Sequence, residues 1–202
     1  RSLESRRGTL TLLRDTLDKN ENQQFFTPGE VAEFMADVAA AALSKPLAQA
    51  VVCDPAVGSG GLLAAVARRA IASINGKMGR ERIGQYARTK VWGADCDDRM
   101  AWIAAINLFL LADEPGNILR IPGGGSLDRT ATSRDGRCLE DGTMDVIVTN
   151  PPFGSEVMDS RILSQWDLGR GRAARRRSVL FVERCLRLLK PNGVCVIVLD
   201  DS

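Results

Sequence analysis

The fold is decided by the stretch Ala50-Val-Val-Cys-Asp-Pro-Ala-Val-Gly-Ser-Gly-Gly61. A short apolar run, typical of a buried strand, ends at Asp54, and a glycine-rich turn then leads into a helical pattern from Gly60 to Ile74. Strand, turn and helix in this order are typical of a parallel α/β sheet. The glycines allow a tight turn, and the helix N-terminus offers free N–H groups to a carboxylate or phosphate.

Short β-branched runs and longer helical patterns alternate along the rest of the chain. This alternation predicts an α/β fold with a doubly wound, Rossmann-like parallel sheet covered by helices. The predicted strands are 50–53, 91–94, 117–121, 144–149 and 194–199. The predicted helices are 9–20, 28–45, 60–74, 98–111 and 178–189. The polar segment 75–89 is expected to be a loop or a short extra turn, and 122–143 a surface loop.

The helix that follows residue 27 carries a recognisable start signal. Thr27 is expected to cap it, with Pro28 at the first helical position and Glu30 completing a capping box.

Composition limits the class of protein. The 202 residues, 45% apolar and 26% charged, have the size and make-up of one globular domain. The sequence contains no histidine, which excludes a histidine base and a Ser-His-Asp triad within it. Its five cysteines are widely spread without a CxxC pair, so neither a zinc site nor a disulfide framework is predicted. No apolar run reaches the roughly 18 residues of a membrane span and no secretory signal is visible, so we expect a cytoplasmic protein.

Unusual residues follow three of the predicted strands: the glycine loop 54–61, Asp95 and the tetrapeptide 150–153. Ligands of open α/β sheets bind outside this edge, so one shared site is expected. Asp54 can accept from a ligand ammonium, the helix N-terminus suits a carboxylate, and Asp95 can accept from ribose hydroxyls. Together they predict S-adenosylmethionine, a nucleoside that carries an amino acid. A nicotinamide dehydrogenase is set aside, because the loop lacks GxGxxG and Asp95 lies beyond the usual spacing of about 20 residues.

The tetrapeptide Asn150-Pro-Pro-Phe153 predicts a site for an exocyclic amine. Its two prolines fix the backbone and remove two N–H donors, which leaves the carbonyls of Asn150 and Pro151 beside an amide side chain. Such acceptors localise the lone pair of an amine on its nitrogen, and Phe153 can stack on the base. Taken alone, the tetrapeptide and the glycine loop are each also compatible with a rigid structural turn.

Three motifs in order resemble the N-6 adenine DNA methylases that form the modification (M) subunits of type I restriction-modification systems. They are Gln24-Phe-Phe-Thr-Pro28, the glycine loop 54–61 and Asn150-Pro-Pro-Phe153. The resemblance spans about residues 20 to 200. The tetrapeptide itself is shared with RNA and protein-glutamine amino-methyltransferases, whereas its combination with the N-terminal motif is much more specific.

The resemblance implies methyl transfer from S-adenosylmethionine to the N6 atom of a flipped adenine. The residues implied to orient and stack that adenine are Asn150, Pro151, Pro152 and Phe153. The residues implied to bind the cofactor are Gln24, Phe26, Thr27, Pro28, Asp54, Ala56, Gly58, Ser59, Gly60, Gly61 and Asp95. Asn107-Leu108 also matches the family, in either a functional or a structural role.

Two departures from the family pattern affect these expectations. The family usually has an acidic residue where this sequence has Gly125, so either Asp128 replaces it from a shifted register or the cofactor is bound more weakly. A full doubly wound methyltransferase sheet has two further strands after the fifth. We therefore expect an N-terminal helical segment, 1–23, followed by a partial methyltransferase domain, 24–202.

The expected partners follow from the same resemblance: double-stranded DNA, a specificity subunit, a second methyltransferase subunit and a restriction nuclease-translocase subunit, with no membrane. The arginine cluster Arg170, Arg172, Arg175, Arg176 and Arg177 is either a solvated surface or a phosphate contact. Two alternatives stay open: an RNA or protein amino-methyltransferase, and a non-catalytic S-adenosylmethionine-binding scaffold.

Overall fold

The structure, a computed structural model, describes residues 27–73 and 80–200. The helix predicted over residues 9–20 and the site candidates Gln24 and Phe26 lie outside the described residues. No helix in the described ranges is long and apolar enough to cross a membrane.

The centre of the molecule is a five-stranded parallel sheet in the order β3-β2-β1-β4-β7. These strands are β1 (Val52–Asp54), β2 (Val91–Asp95), β3 (Asn117–Arg120), β4 (Met144–Thr149) and β7 (Leu189–Ile197). The central strand β1 pairs on both sides, with Val52 opposite Val91 and Val146. The order reverses between β1 and β4, which creates the switch point of a doubly wound sheet, and the predicted fold class is confirmed.

Helices cover both faces of the sheet, because alternate side chains of its buried strands point to opposite sides. Val52 belongs to one apolar core cluster and Cys53 to another. The first cluster packs under α1 to α4 and the second under α6. The helices are α1 (Gly29–Ala42), α2 (Gly61–Ser73), α3 (Arg80–Lys90), α4 (Asp98–Ala112), α5 (Ser160–Leu163) and α6 (Arg177–Leu188).

The predicted loop over 75–89 is wrong where α3 occupies it. Ile83, Tyr86 and Ala87 form one narrow stripe at helical spacing on an otherwise charged segment, and Tyr86 and Ala87 are buried. This stripe is too narrow to stand out in the sequence, and the helix is stabilised by packing rather than by a strong pattern.

The predicted capping box is also wrong. Helix α1 begins at Gly29 with Pro28 in the cap position, and no side chain caps it. The carbonyl of Pro28 accepts from Ala32 N–H at 3.0 Å. The hydroxyl of Thr27 instead accepts a hydrogen bond from the side chain of Asn150.

Strand β7 starts earlier than predicted. Leu189 already pairs with Met144, after which the predicted turn 190–193 bulges out of the ladder, with Asn192 at a φ of 64°. Pairing then resumes from Val194 to Ile197.

The segment after β4 folds back onto α6 and carries the arginine cluster. It contains a two-stranded antiparallel ribbon of β5 (Glu156–Val157) and β6 (Arg175–Arg176). The segment is anchored by Trp166, which is fully buried and donates its indole N–H to the Leu127 carbonyl at 2.9 Å. It is anchored a second time by Glu183, which accepts from the backbone N–H groups of Asp167 and Leu168.

Candidate functional site

The glycine loop between β1 and α2 is held in place from both ends. Val57 N–H donates to the Ala94 carbonyl at the end of β2, at 2.9 Å. The side chain of Asn107 on α4 donates to the Ser59 carbonyl at 2.7 Å. Asn107 therefore has a structural role, since it fixes the backbone of the loop against the neighbouring helix.

Two glycines of this loop serve different purposes. Gly60 has a φ of 82°, and a Cβ there would lie 2.9 Å from the Cα of Ala104, so the position requires glycine for packing. Gly58 has a φ of 50°, and a Cβ there would meet nothing within 4 Å. Gly58 lines the cavity, and its missing side chain leaves open space for a ligand at the backbone.

Asp95 ends β2 and connects the loop to the cavity. Its two carboxylate oxygens accept from the backbone N–H groups of Gly58 and Asp97, both at 2.9 Å. Burial raises the pKa of Asp95, and these hydrogen bonds act in the opposite direction. A carboxylate offers about four acceptor positions, so Asp95 keeps capacity to accept from a ligand hydroxyl.

Asp54 lies beneath the loop rather than in the cavity wall. It is 1% exposed, and its carboxylate accepts from the Ala56 N–H at 3.0 Å. Burial raises the pKa of Asp54 to about 7. The structure therefore shows that Asp54 shapes the loop. Its contact with a ligand ammonium stays a prediction.

Asn150 directly follows the fully buried strand β4 and lines the same cavity. Its amide nitrogen donates to the hydroxyl of Thr27 at 3.1 Å, which links the tetrapeptide to the N-terminal motif. Its amide oxygen is buried and has no hydrogen-bond partner among the described residues. Because an orphaned buried acceptor is costly, this oxygen is suited to accept a hydrogen from a ligand amine.

One cavity at the carboxyl edge of the sheet brings most of the predicted residues together. Of the predicted residues, Ala56, Gly58, Asp95, Asn150, Pro151, Pro152 and Phe153 line it. Ser59, Gly60 and Gly61 shape the adjoining turn and helix start. Sequence reasoning missed Pro55, Cys96, Met100, Gly124, Ser126, Arg177 and Phe181 as lining residues. Pro55 follows Asp54 and Cys96 follows Asp95, so their neighbours in the sequence could have indicated these two.

The structure places Asp128 away from this cavity, while Gly125 and Ser126 line it. One carboxylate oxygen of Asp128 accepts from the hydroxyl and backbone N–H of Thr130 and from the side chain of Gln165. The predicted replacement of the missing acid by Asp128 has no support in this geometry. The hydroxyl of Ser126 donates to the buried Pro55 carbonyl at 2.6 Å, which links the two segments that form this part of the cavity wall.

Comparison with solved structures gives the same fold. A candidate modification subunit of a type I restriction enzyme from Vibrio vulnificus YJ016 is 24% identical, with a TM-score of 0.70, over 95% of this chain and 38% of that one. The M protein of the type I restriction enzyme EcoKI is 22% identical, with a TM-score of 0.63, over 95% and 37%. A nuclease-deletion mutant of the Type ISP restriction-modification enzyme LlaGI, in complex with a DNA substrate mimic, is 16% identical, with a TM-score of 0.67, over 97% and 22%. The chain therefore spans at most 38% of the length of these proteins.

Comparison with protein families gives the assignment. Residues 11–202 match the model of the family described as N-6 DNA Methylase. The match includes all three motifs, and the predicted resemblance to N-6 DNA methylases is confirmed. The chain belongs to the N-6 DNA methylase family.

Proposed function

We propose that this chain is the cofactor-binding and catalytic part of a DNA adenine-N6 methyltransferase, the modification subunit of a type I-like restriction-modification system. One observation carries the proposal: Asn150, whose buried amide oxygen has no partner among the described residues, lines the same cavity as Asp95 and Gly58. An acceptor for an amine thus shares one cavity with a site suited to a nucleoside.

The residues of the cavity fit S-adenosylmethionine, which supplies an electrophilic methyl group when it is bound. Gly58 offers an open backbone surface, and Asp95 can accept from the ribose hydroxyls. The N-terminus of α2, at Gly61, suits the methionine carboxylate. Asp54, with its pKa near 7, loses its proton readily when a ligand ammonium approaches the loop.

Asn150 would prepare the target amine for attack. Its side-chain oxygen and the carbonyls of Asn150 and Pro151 accept the hydrogens of the adenine amine, which localises the lone pair on N6. Phe153, half-buried at the cavity mouth, can stack on the base. Catalysis by positioning needs no strong base, because the methylated amine loses its proton afterwards, and the absence of histidine is no obstacle.

DNA is proposed to approach across the arginine cluster. The target adenine has to leave the duplex, at a cost of a few kcal/mol, and phosphate contacts hold the strand during that step. Arg170, Arg172 and Arg176 are exposed on the segment that follows the tetrapeptide. A DNA substrate mimic is bound in the LlaGI structure, whose fold this chain shares.

The partners proposed for the whole protein are a specificity subunit, a second methyltransferase subunit and a nuclease-translocase. The structural likeness to type I modification subunits supports them. Sequence choice on DNA would then come from the specificity subunit, so the isolated chain is expected to methylate with little sequence preference.

Methyl transfer from labelled S-adenosylmethionine tests the proposal. Unmethylated genomic DNA, RNA of similar composition and a protein extract are offered in parallel, and digested products are identified by mass spectrometry. We expect the product to be N6-methyldeoxyadenosine. Asn150→Ala should abolish its formation, while the affinity of this variant for S-adenosylhomocysteine should stay within about threefold of the unchanged chain. Asn192→Gly, which changes an exposed asparagine in the turn 190–193, is the matched control and should keep full activity.

The same assay separates the alternatives. Label in RNA or protein but not in DNA would replace the proposed substrate by that of another amino-methyltransferase. Calorimetric binding of the cofactor without transfer to any substrate, even with partner subunits added, would favour the non-catalytic scaffold.

A further inference from the structure

One member of the arginine cluster is half-buried and lines the cavity, and the proposed function gives it no individual role. Arg177 is the first residue of α6 and lines the same cavity as Asp95 and Asn150. Its backbone N–H donates to the Ser155 carbonyl at 2.9 Å, and its Nε donates to the Ser155 hydroxyl at 3.0 Å. Two bonds to one residue fix both the start of α6 and the direction of the guanidinium.

The remaining donors of this guanidinium have no partner among residues 27–73 and 80–200. In the described part of the chain the side chain of Arg177 forms no ion pair, and its one hydrogen bond is the one from Nε to Ser155. Arg177 is half-buried, so its terminal nitrogens are partly shielded from water. Such donors in a cavity favour an acceptor on a ligand.

The position of the charge indicates which part of the ligand it faces. Phe181, one helical turn after Arg177, packs in one apolar cluster with Leu127, so the start of α6 lies beside the turn that brings Gly125 to the cavity wall. Consistent with this, burial raises the pKa of the Cys96 thiol and the positive charge of Arg177 acts in the opposite direction. Cys96 directly follows Asp95, the residue suited to ribose, and it lines the cavity beside Met100 and Gly125. Arg177 therefore lies toward the part of the cavity where the base of a nucleoside held by Asp95 would sit.

This part of the wall carries a cationic side chain, Arg177, and little negative charge. Asp95 is the one acidic residue among the described residues that line the cavity, and it already accepts from two backbone N–H groups. Gly125, at a φ of 61°, brings no side chain, and a Cβ there would lie 3.4 Å from the Cβ of Cys96. Apart from Asp95, the described lining residues provide no carboxylate for the exocyclic amine of an adenine base.

We propose that Arg177 is a specificity-determining residue that donates hydrogen bonds to the nucleobase of the cofactor, an inference that rests on the proposed function. The pocket then selects a base by its acceptor atoms rather than by its exocyclic amine. A hypoxanthine base replaces that amine by a carbonyl oxygen, which accepts from a guanidinium. The pocket therefore tolerates an inosine analogue of the cofactor product.

The test is calorimetric titration of the chain with S-adenosylhomocysteine and S-inosylhomocysteine. We expect the two affinities to agree within about tenfold for the unchanged chain. Arg177→Met should weaken both by about tenfold or more, as expected for lost hydrogen bonds from a charged donor. Arg177→Lys should recover part of the loss, and Gly125→Asp, which adds an acceptor, should shift the preference toward S-adenosylhomocysteine.

Arg134→Met is the matched control, since it removes the same charge from an exposed residue outside this cavity and outside the arginine cluster. It should change neither affinity by more than about twofold. Thermal melting of each variant establishes that it is folded. Ser155→Ala offers a second route, because it removes the acceptor that directs Arg177, and it should weaken binding by a few-fold.

The outcomes separate this inference from the proposed function. If the folded, unchanged chain binds neither compound, the proposed cofactor site itself is wrong. If it binds S-adenosylhomocysteine but folded Arg177→Met binds equally well, only the role of Arg177 is wrong. A loss of DNA affinity alone in Arg177→Met would make it a phosphate contact, and a preference above about 100-fold for the adenosine compound would show that the amine is recognised after all.

Discussion

The side chain of Asn150 donates to the hydroxyl of Thr27 at 3.1 Å, a contact between residues 123 positions apart. The bond assigns the amide nitrogen to the protein and leaves the amide oxygen for a ligand. A freely rotating amide would present either end to the cavity. Thr27 thereby gives the N-terminal motif a physical role at the proposed catalytic residue.

Thr27→Val should slow methyl transfer by about tenfold, because it removes the acceptor that orients Asn150. Affinity for S-adenosylhomocysteine, measured by calorimetry, should change less than about threefold. Thr27→Ser keeps the hydroxyl and should restore most of the rate. A Thr27→Val protein with unchanged single-turnover rate would show that the contact has no role in orientation.

Gly58→Ala and Gly60→Ala should separate binding from stability. At Gly60 the added Cβ meets the backbone of Ala104 at 2.9 Å, so we expect a loss of about 2–4 kcal/mol in the free energy of unfolding. At Gly58 the space is open and the cost is about 1–2 kcal/mol from the backbone conformation alone. Gly58→Ala should also weaken cofactor binding under conditions in which the variant is fully folded, because the added methyl group occupies the surface at which the ligand binds. Gly60→Ala should have no such direct effect on binding. Equal stability losses in urea denaturation would contradict this division.

The free energy of unfolding of Asp54→Asn, relative to that of the unchanged chain, should increase as the pH rises. The pKa of Asp54 is about 7 in the folded protein and 3.8 for an ordinary aspartate, so the folded state binds the extra proton between these values. This group therefore lowers the stability of the unchanged chain as the pH rises from about 4 to 7. The asparagine variant keeps the acceptor for Ala56 without the buried charge.

The stability difference between Asp54→Asn and the unchanged chain should grow by an amount on the order of 4 kcal/mol from pH 4 to pH 8. Urea denaturation across that range measures it. A difference that does not depend on pH would mean that the pKa of Asp54 is not raised in the folded state.

Arg172→Gln should weaken DNA binding and reduce its dependence on salt. Arg172 is exposed, and no ion pair involves it among the described residues, so its charge is available for a phosphate. Loss of one phosphate contact lowers the slope of log affinity against log salt by about 1. Arg134→Gln is the control, because Arg134 is also exposed but lies far from the arginine cluster. Its turn also contains Arg137, which contacts Asn117 in β3, at the opposite edge of the sheet. Equal effects of the two variants on binding isotherms would mean that only net charge matters.

Local patterns in the sequence were sufficient for the fold and for one half of the site. Strand, glycine turn and helix follow one another within residues 50–74, so their spacing alone predicts a parallel sheet and the edge at which a ligand binds. Asp95 and Asn150 could be placed at that edge because each directly follows a strand. The chemistry of the tetrapeptide also depends on adjacent residues, since its prolines remove donors next to an amide.

The other half of the site was decided by the tertiary structure. Gly124, Arg177 and Phe181 reach the cavity through packing between segments far apart in sequence, and no local period marks them. Asp128 shows the converse, because a plausible acid in the right stretch is held outside the cavity by Thr130 and Gln165. A sequence fixes which side chains leave each strand end, but only the packed chain decides which of them face the same space.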